Sequence, residues 1–291
     1  MKLYILWVRH CESCSNVVIH SKYKLRWITD LKQGFEIPPN CTLIGLIQSY
    51  MFGYYVLPFL LKKYPQFKKL NFYCSTIKRT MITSKFITHG LKKSKYKIKS
   101  SKKIERLCNI PERPSIYEKL KGIEFNNVSV KRSNKHVKKV NKTYKKSGKK
   151  ISKKIKRKTK NCGKTDLDKF TQKILPSLNN KSLNVIVSHG KVLKRLLKIK
   201  HFNNVDAALV EYDMNKGGFK ILEEIRNKTD LSDDKNSYKR IKEKLFDLHY
   251  QSKSIDLKTS ISMDEFNKSI DSKLAKQLQL KKLDNEITCG K

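Results

Sequence analysis

Hydrophobic and polar positions fall along this chain in short blocks that read as alternating strands and helices. Residues 2–8 (KLYILWV) form an apolar, β-branched and aromatic run closed by Arg9 and His10, the pattern of a buried strand followed by a polar turn over 9–16. A second run, 71–75 (NFYCS), is followed by Thr80, Ile82, Thr83, Phe86 and Ile87 at the spacing of a helix. The block 183–197 (LNVIVSHGKVLKRLL) repeats the order: an apolar run, a polar break carrying His189 and Gly190, then apolar positions at helical spacing. A faint alternation near 96–104 adds a further strand. Together these predict an α/β three-layer sandwich with a mostly parallel central sheet, helices covering both faces. In such sheets the side chains at the carboxyl ends of strands line the binding crevice.

Two segments complicate that outline. Residues 41–61 (CTLIGLIQSYMFGYYVLPFLL) carry no charge and are long enough to span a bilayer, yet contain Gln48, two glycines and Pro58. A buried helix of a globular core is expected there, and no transmembrane segment. From about 226 onward, Tyr238, Ile241, Leu245 and Leu248 predict an amphipathic helix. Ser262 with Glu265 makes a capping-box pattern ahead of Phe266, Ile270, Leu274 and Leu278. The expected organisation is a core domain over 1–225 and a helical C-terminal extension over 226–291, docked on the core or on a second subunit of a homodimer.

Charge changes the picture in one region. The chain has 66 Lys and Arg against 25 Asp and Glu, a formal net charge of +41. Residues 126–165 contain no acid and are crowded with Lys, so an insertion without stable structure is expected. Val137, Val140, Tyr144, Ile151 and Ile155 lie at approximate helical spacing, which leaves open a basic helix on an anionic surface. The charge suits a polyanionic partner, nucleic acid or acidic membrane. Coding in an AT-rich genome, which favours Lys, Asn and Ile, accounts for the same composition without one. The cysteines at 11, 14, 41, 74, 108, 162 and 279 are odd in number and scattered, and no secretory apolar region precedes the first strand. Reducing, cytoplasmic surroundings are expected.

Chemistry gathers at the strand ends. Cys11 and Cys14 satisfy C-x-x-C, but no second pair or nearby His pair completes a metal set, so no metal or other cofactor is expected. His10 has better company. If the sheet is parallel, Arg9 and His10 after the first strand, Arg79 after the second and His189 after the late one meet at one rim, with Ser75 and Asn16 nearby. Phosphate is the natural occupant, because planar guanidiniums grip its oxygens in pairs and helix N-termini add their dipoles. A positive surrounding also keeps one imidazole neutral, and a neutral imidazole can attack phosphorus.

These residues resemble the histidine phosphatase superfamily, also called phosphoglycerate mutase-like. Its Arg-His-Gly followed by Glu-Ser-x-x-Asn is matched by Arg9, His10, Glu12, Ser13 and Asn16. Its Thr-x-x-Gly-x-x-Gln helix start is similar to Thr42, Gly45 and Gln48. Its Ser-x-x-x-Arg-x-x-x-Thr resembles Ser75, Arg79 and Thr83, and its Val-Ser-His-Gly appears as Val187 to Gly190. Four motifs thus fall in family order across about 200 residues. The resemblance implies that His10 is a nucleophile taking up the phosphoryl group. Arg9, Arg79 and His189 would bind the transferring oxygens, and Asn16 would add a contact. It also implies an acid after the third strand. Glu112 fits the Ile-x-x-Leu-x-x-Ile-x-Glu spacing, and Glu105 is the alternative. Cys11 stands where the family has glycine, and no sugar-acid mutase signature follows the acid, which favours hydrolysis over transfer. The function expected is a phosphomonoesterase acting through phosphohistidine on a substrate the sequence does not name. The alternatives are a phosphate- or nucleic-acid-binding pseudoenzyme and a phosphosugar mutase. Oxidation of Cys11 with Cys14 would offer a switch on the site.

Overall fold

A computed structural model of the chain describes residues 1–13, 16, 41–75, 77–100, 105–106, 170–228 and 245–270. The first apolar run becomes β1, Lys2–Arg9, in the interior of the sheet, and Leu3, Ile5, Leu6, Trp7 and Val8 on it are completely buried. Around it lie β2 (Lys69–Cys74), the short β3 (Lys99–Ser100) and β4 (Glu105–Arg106), then β5 (Leu183–Ser188), β6 (Ala207–Asp213), β7 (Gly218–Asn227), β8 (Leu245–Gln251) and β9 (Asp256–Ser262). They form one nine-stranded sheet among the described residues, in the order β3-β2-β5-β1-β6-β7-β8-β9, with β4 also paired to β2.

The sheet is mixed, which corrects the expectation of a mostly parallel one. From β3 and β4 through β2 and β5 to β1 every pairing is parallel; from β1 to β9 every pairing is antiparallel. The reversal has a local cause. The helix after β5, α3 (Gly190–Leu197), has eight residues, about 12 Å of travel at 1.5 Å per residue. The loop beyond it brings the chain back to the carboxyl end of β1, where Arg9 N donates to Asp206 O at 2.9 Å. A strand entering from that end can only run against β1.

Each face of the sheet is covered. Leu6 and Val8 of β1 point to the side of two helices, α1 (Leu43–Lys63) and α2 (Lys78–Lys93); Leu3, Ile5 and Trp7 point to the side of α3 and the turns around Phe170, Leu175 and Leu178. All of the uncharged 41–61 stretch but its first two residues therefore lies in α1, long and apolar enough to cross a membrane but packed mostly inside the core. Its interruptions are absorbed locally: residues Phe52–Val56 widen into a π-turn, and Pro58 follows at the start of the next regular turn, where a missing N–H costs little.

The helical C-terminal extension is corrected over 245–262, which folds as the β8–β9 hairpin. Leu245 and Leu248 fit a helical spacing, but the buried positions are Phe246, Leu248 and Tyr250, which alternate in steps of two. The expected division at 225/226 falls inside β7. The capping box holds as predicted: Ser262 Oγ accepts from Glu265 N at 3.1 Å, Ser262 N donates to Glu265 Oε2 at 2.9 Å, and α4 (Met263–Ser269) begins there. Phe266 of α4 packs against Tyr50 and Phe86, so this segment docks on the core. The insertion over 126–165, Tyr238, Ile241, Leu274 and Leu278 lie outside the described residues.

Candidate active site

Strand register alone assembles the rim. Val8 pairs with Val187 and Arg9 with Ser188, while Cys74 pairs with Val187 from the other side, so Arg9, Ser188 and Ser75 leave three neighbouring parallel strands at the same level. His10 N then donates to Ser188 O at 2.9 Å and Ser75 N to Val187 O at 3.3 Å, extending the ladder one step into the site. The helices α2 and α3 start immediately beyond, placing Arg79 in the first turn of one and His189 at the N-cap of the other.

The rings of His10 and His189 are both buried, and their hydrogen bonds assign the protons. His10 Nδ1 lies 2.7 Å from Cys11 O, an acceptor only, so Nδ1 carries the hydrogen and the lone pair is left on Nε2. His189 has the opposite arrangement: Nδ1 faces a donor, Arg79 Nη2, at 3.3 Å, and Nε2 donates to Ser75 Oγ at 3.1 Å. Ser75 Oγ is held in turn by Thr80 Oγ1 at 3.0 Å. The affinity of His10 for a proton is driven well below that of an ordinary imidazole, first by burial and then by Arg79, with His189 and Arg9 close by adding to the effect. The site therefore holds a neutral imidazole within a positive surrounding.

The predicted motifs explain how this geometry is held. Thr83, one turn after Arg79, accepts from Cys11 N at 2.9 Å and donates to Arg79 O at 2.8 Å, tying α2 to the residue after His10. Thr42 caps α1 by accepting from Gly45 N at 3.0 Å, and its hydroxyl donates to Glu12 Oε1 at 2.7 Å. Gly45 is required by close approach: a Cβ there would stand 2.4 Å from Glu12 O. At Gly190 a Cβ would stand 3.2 Å from both Cδ and Nε of Arg9, so this glycine leaves room for the guanidinium. Gln48 is buried away from the rim, its carbonyl accepting from Tyr250 OH at 3.0 Å.

Cys11 is bonded to Cys41, with Cα atoms 6.0 Å apart, so the residue after His10 is linked to the residue before Thr42. This replaces both the expected free thiols and the pairing of Cys11 with Cys14; Cys14 lies outside the described residues. C-x-x-C spacing drew attention to the wrong partner, because a disulfide is set by proximity in space.

Arg9, His10, Arg79 and His189 lie together at this rim. Asn16 lies in the same loop, its Oδ1 accepting from Ser13 N at 3.1 Å and Ser13 Oγ at 2.7 Å. Glu105 is in β4, opposite Tyr73 of β2, and Glu112 lies outside the described residues. Among the described residues no three His, Cys, Asp or Glu gather as a metal-binding group. Sequence reading missed Asn204 and Asp206, whose surroundings (HFNNVDAA) carry no spacing signal; only the folded loop places Asn204 beside His10 and Asp206 beside Arg9.

No family model and no curated protein matches this sequence. Solved structures resemble it at low identity. A phosphoglycerate mutase from Plasmodium falciparum aligns over 90% of this chain and 99% of its own, at 12% identity and a TM-score of 0.33. A phosphoglycerate mutase from Bacillus anthracis aligns over 76% of this chain and 91% of its own, at 14% identity and a TM-score of 0.34. A mycobacterial glucosyl-3-phosphoglycerate phosphatase aligns over 76% and 98%, at 10% identity and a TM-score of 0.29. The residues of the site stand on their own geometry.

Proposed function

We propose that this chain is a phosphomonoesterase of the histidine phosphatase superfamily, working through a phosphohistidine on His10. The observation that carries the reading is the neutral His10 ring, its Nδ1 hydrogen given to Cys11 O and its Nε2 lone pair set among Arg9, Arg79 and His189. A nucleophile needs a lone pair that water has not protonated, and burial beside fixed cations supplies one.

In this mechanism Nε2 attacks phosphorus and forms the N–P bond as the ester P–O bond breaks. Charge on the equatorial oxygens of the loose transition state falls to Arg9, Arg79 and His189 Nε2–H, which would turn from Ser75 to the phosphoryl oxygen. The leaving oxygen takes a proton from an acid, the role we assign to Glu112. Water then attacks the phosphohistidine, the same carboxylate accepting its proton, and phosphate leaves with Nε2 restored.

The test is phosphate release from a panel of phosphomonoesters, with alkaline-quenched trapping of the phosphoenzyme on wild type and His10→Ala. Turnover with a base-stable, acid-labile phosphoenzyme that disappears in His10→Ala supports the reading. A wild-type protein that binds phosphate but turns over no ester would instead favour a binding role.

A further inference from the structure

The loop Phe202–Asp206, between α3 and β6, grips the end of β1 on its antiparallel side. Asn204 Nδ2 donates to His10 O at 2.9 Å and to Cys11 O at 2.8 Å, and it reaches Asn16 Oδ1 at 3.5 Å. The main chains are joined as well: Arg9 N donates to Asp206 O at 2.9 Å and Val205 N to Arg9 O at 3.3 Å, while Arg9 Nη1 donates to Phe202 O.

The loop is itself held from behind. Asp206 is fully buried, and its carboxylate accepts from Asn203 N at 2.5 Å, Asn227 N at 2.6 Å and Arg226 Nη1 at 3.2 Å. Asn227 Nδ2 donates to Asn204 O at 3.2 Å. Between the two lies Val205 with φ at 60°, a region that a β-branched residue avoids. Such a conformation persists only where its surroundings over-determine it, and here it points the Asn204 amide at two successive carbonyls.

Cys11 O is the shared atom. It accepts from Asn204 Nδ2 on one side and from His10 Nδ1 at 2.7 Å on the other. The orientation of that carbonyl decides which ring nitrogen keeps the hydrogen, and so which one presents its lone pair. We propose that Asn204 is a positioning residue for phosphoryl transfer, holding the Cys11 carbonyl so that His10 stays in the Nδ1–H form with Nε2 as the attacking atom. The assignment rests on His10 being the nucleophile. An amide suits the task, because one NH2 group spans two adjacent carbonyls; a carboxylate of the same size would oppose both of them.

The experiment compares wild type with Asn204→Ala, the isosteric Asn204→Asp and, as a control on the same loop, Asn203→Ala. Each is read by the ring 15N signals of His10 in protein labelled at histidine, by kcat and KM on the best ester of the panel, and by circular dichroism. Expected for both Asn204 variants is a fall in kcat of roughly 100-fold with KM changed by less than about threefold. With it should come a shift of the His10 signals away from the Nδ1–H pattern, while Asn203→Ala behaves as wild type. Should Asn204→Ala not fold, Asn204→Asp decides. Unchanged ring signals in folded Asn204 variants overturn the proposal, even if kcat falls, because the loss would then be merely structural. If wild type turns over no ester yet the ring signals still move in the Asn204 variants, the positioning of His10 stands and the phosphatase reading fails.

Discussion

The rings of His10 and His189 lie 5.2 Å apart, centroid to centroid, inclined at 61°, and carry their hydrogens on opposite nitrogens. One ring is set up to give a lone pair and the other to give a proton, which separates their expected effects. His10→Ala should abolish turnover and the phosphoenzyme together. His189→Ala should leave a slow phosphoenzyme, with kcat lowered by about 10²–10³ as for the loss of one oxyanion donor. Rapid-quench measurement of phosphoenzyme in both variants checks this; equal, complete loss in the two would overturn the division of roles.

The depressed proton affinity of His10 has two consequences in pH. The acid limb of kcat/KM should lie below the ordinary imidazole value of 6.5, since the nucleophile stays neutral through that range. Stability should fall on the same side. Below 6.5 the unfolded chain binds a proton at this position that the folded chain refuses, so stability is lost as pH drops from there towards the folded value. Urea midpoints measured across that range should show a slope in wild type that is reduced in His10→Ala; identical slopes would sink the assignment.

The Cys11–Cys41 bond closes a loop with a sequence separation of 30 residues, for which chain entropy gives a stabilisation of about 3–4 kcal/mol. Reductant should lower the Tm of wild type and leave Cys41→Ser, already lowered, where it is. A wild-type Tm indifferent to reductant would show that the bond does not form in solution.

Gly45 and Gly190 should fail in different ways when replaced by alanine. At Gly45 the new methyl meets backbone, 2.4 Å from Glu12 O, so a loss of stability of about 1–3 kcal/mol is expected. At Gly190 it meets the Arg9 side chain at 3.2 Å, which can move, so the fold should survive while kcat/KM falls roughly tenfold. Thermal melts beside kinetics on both variants separate the cases.

If Glu112 is the acid, its removal should matter in proportion to the leaving group's need for a proton. Glu112→Gln should slow alkyl phosphates by about 10²–10⁴ and p-nitrophenyl phosphate far less. Glu105→Gln should leave both close to wild type. A uniform loss across leaving groups in Glu112→Gln would remove it from the role.

Much of the site could be read from local pattern. An apolar run followed at once by polar residues marks a strand end, and in parallel strands such ends meet at one rim, so Arg9–His10, Ser75 and His189 could be placed together before any contact was known. The capping box of Ser262 and Glu265 likewise depends on neighbours a few residues away, and it holds in the folded chain. Direction and distant pairing were not legible. A buried strand has the same apolar signature whichever way it runs, and the reversal at β6 follows from how far α3 carries the chain. Leu245–Tyr250 satisfies a period near 3.6 and a period of 2 about equally; pairing with β9 and the burial of Phe246, Leu248 and Tyr250 select the second. Cys11 with Cys41, and Asn204 with the Cys11 carbonyl, join residues separated by 30 and 193 positions. No spacing rule records such pairs, because only the packed chain makes them neighbours.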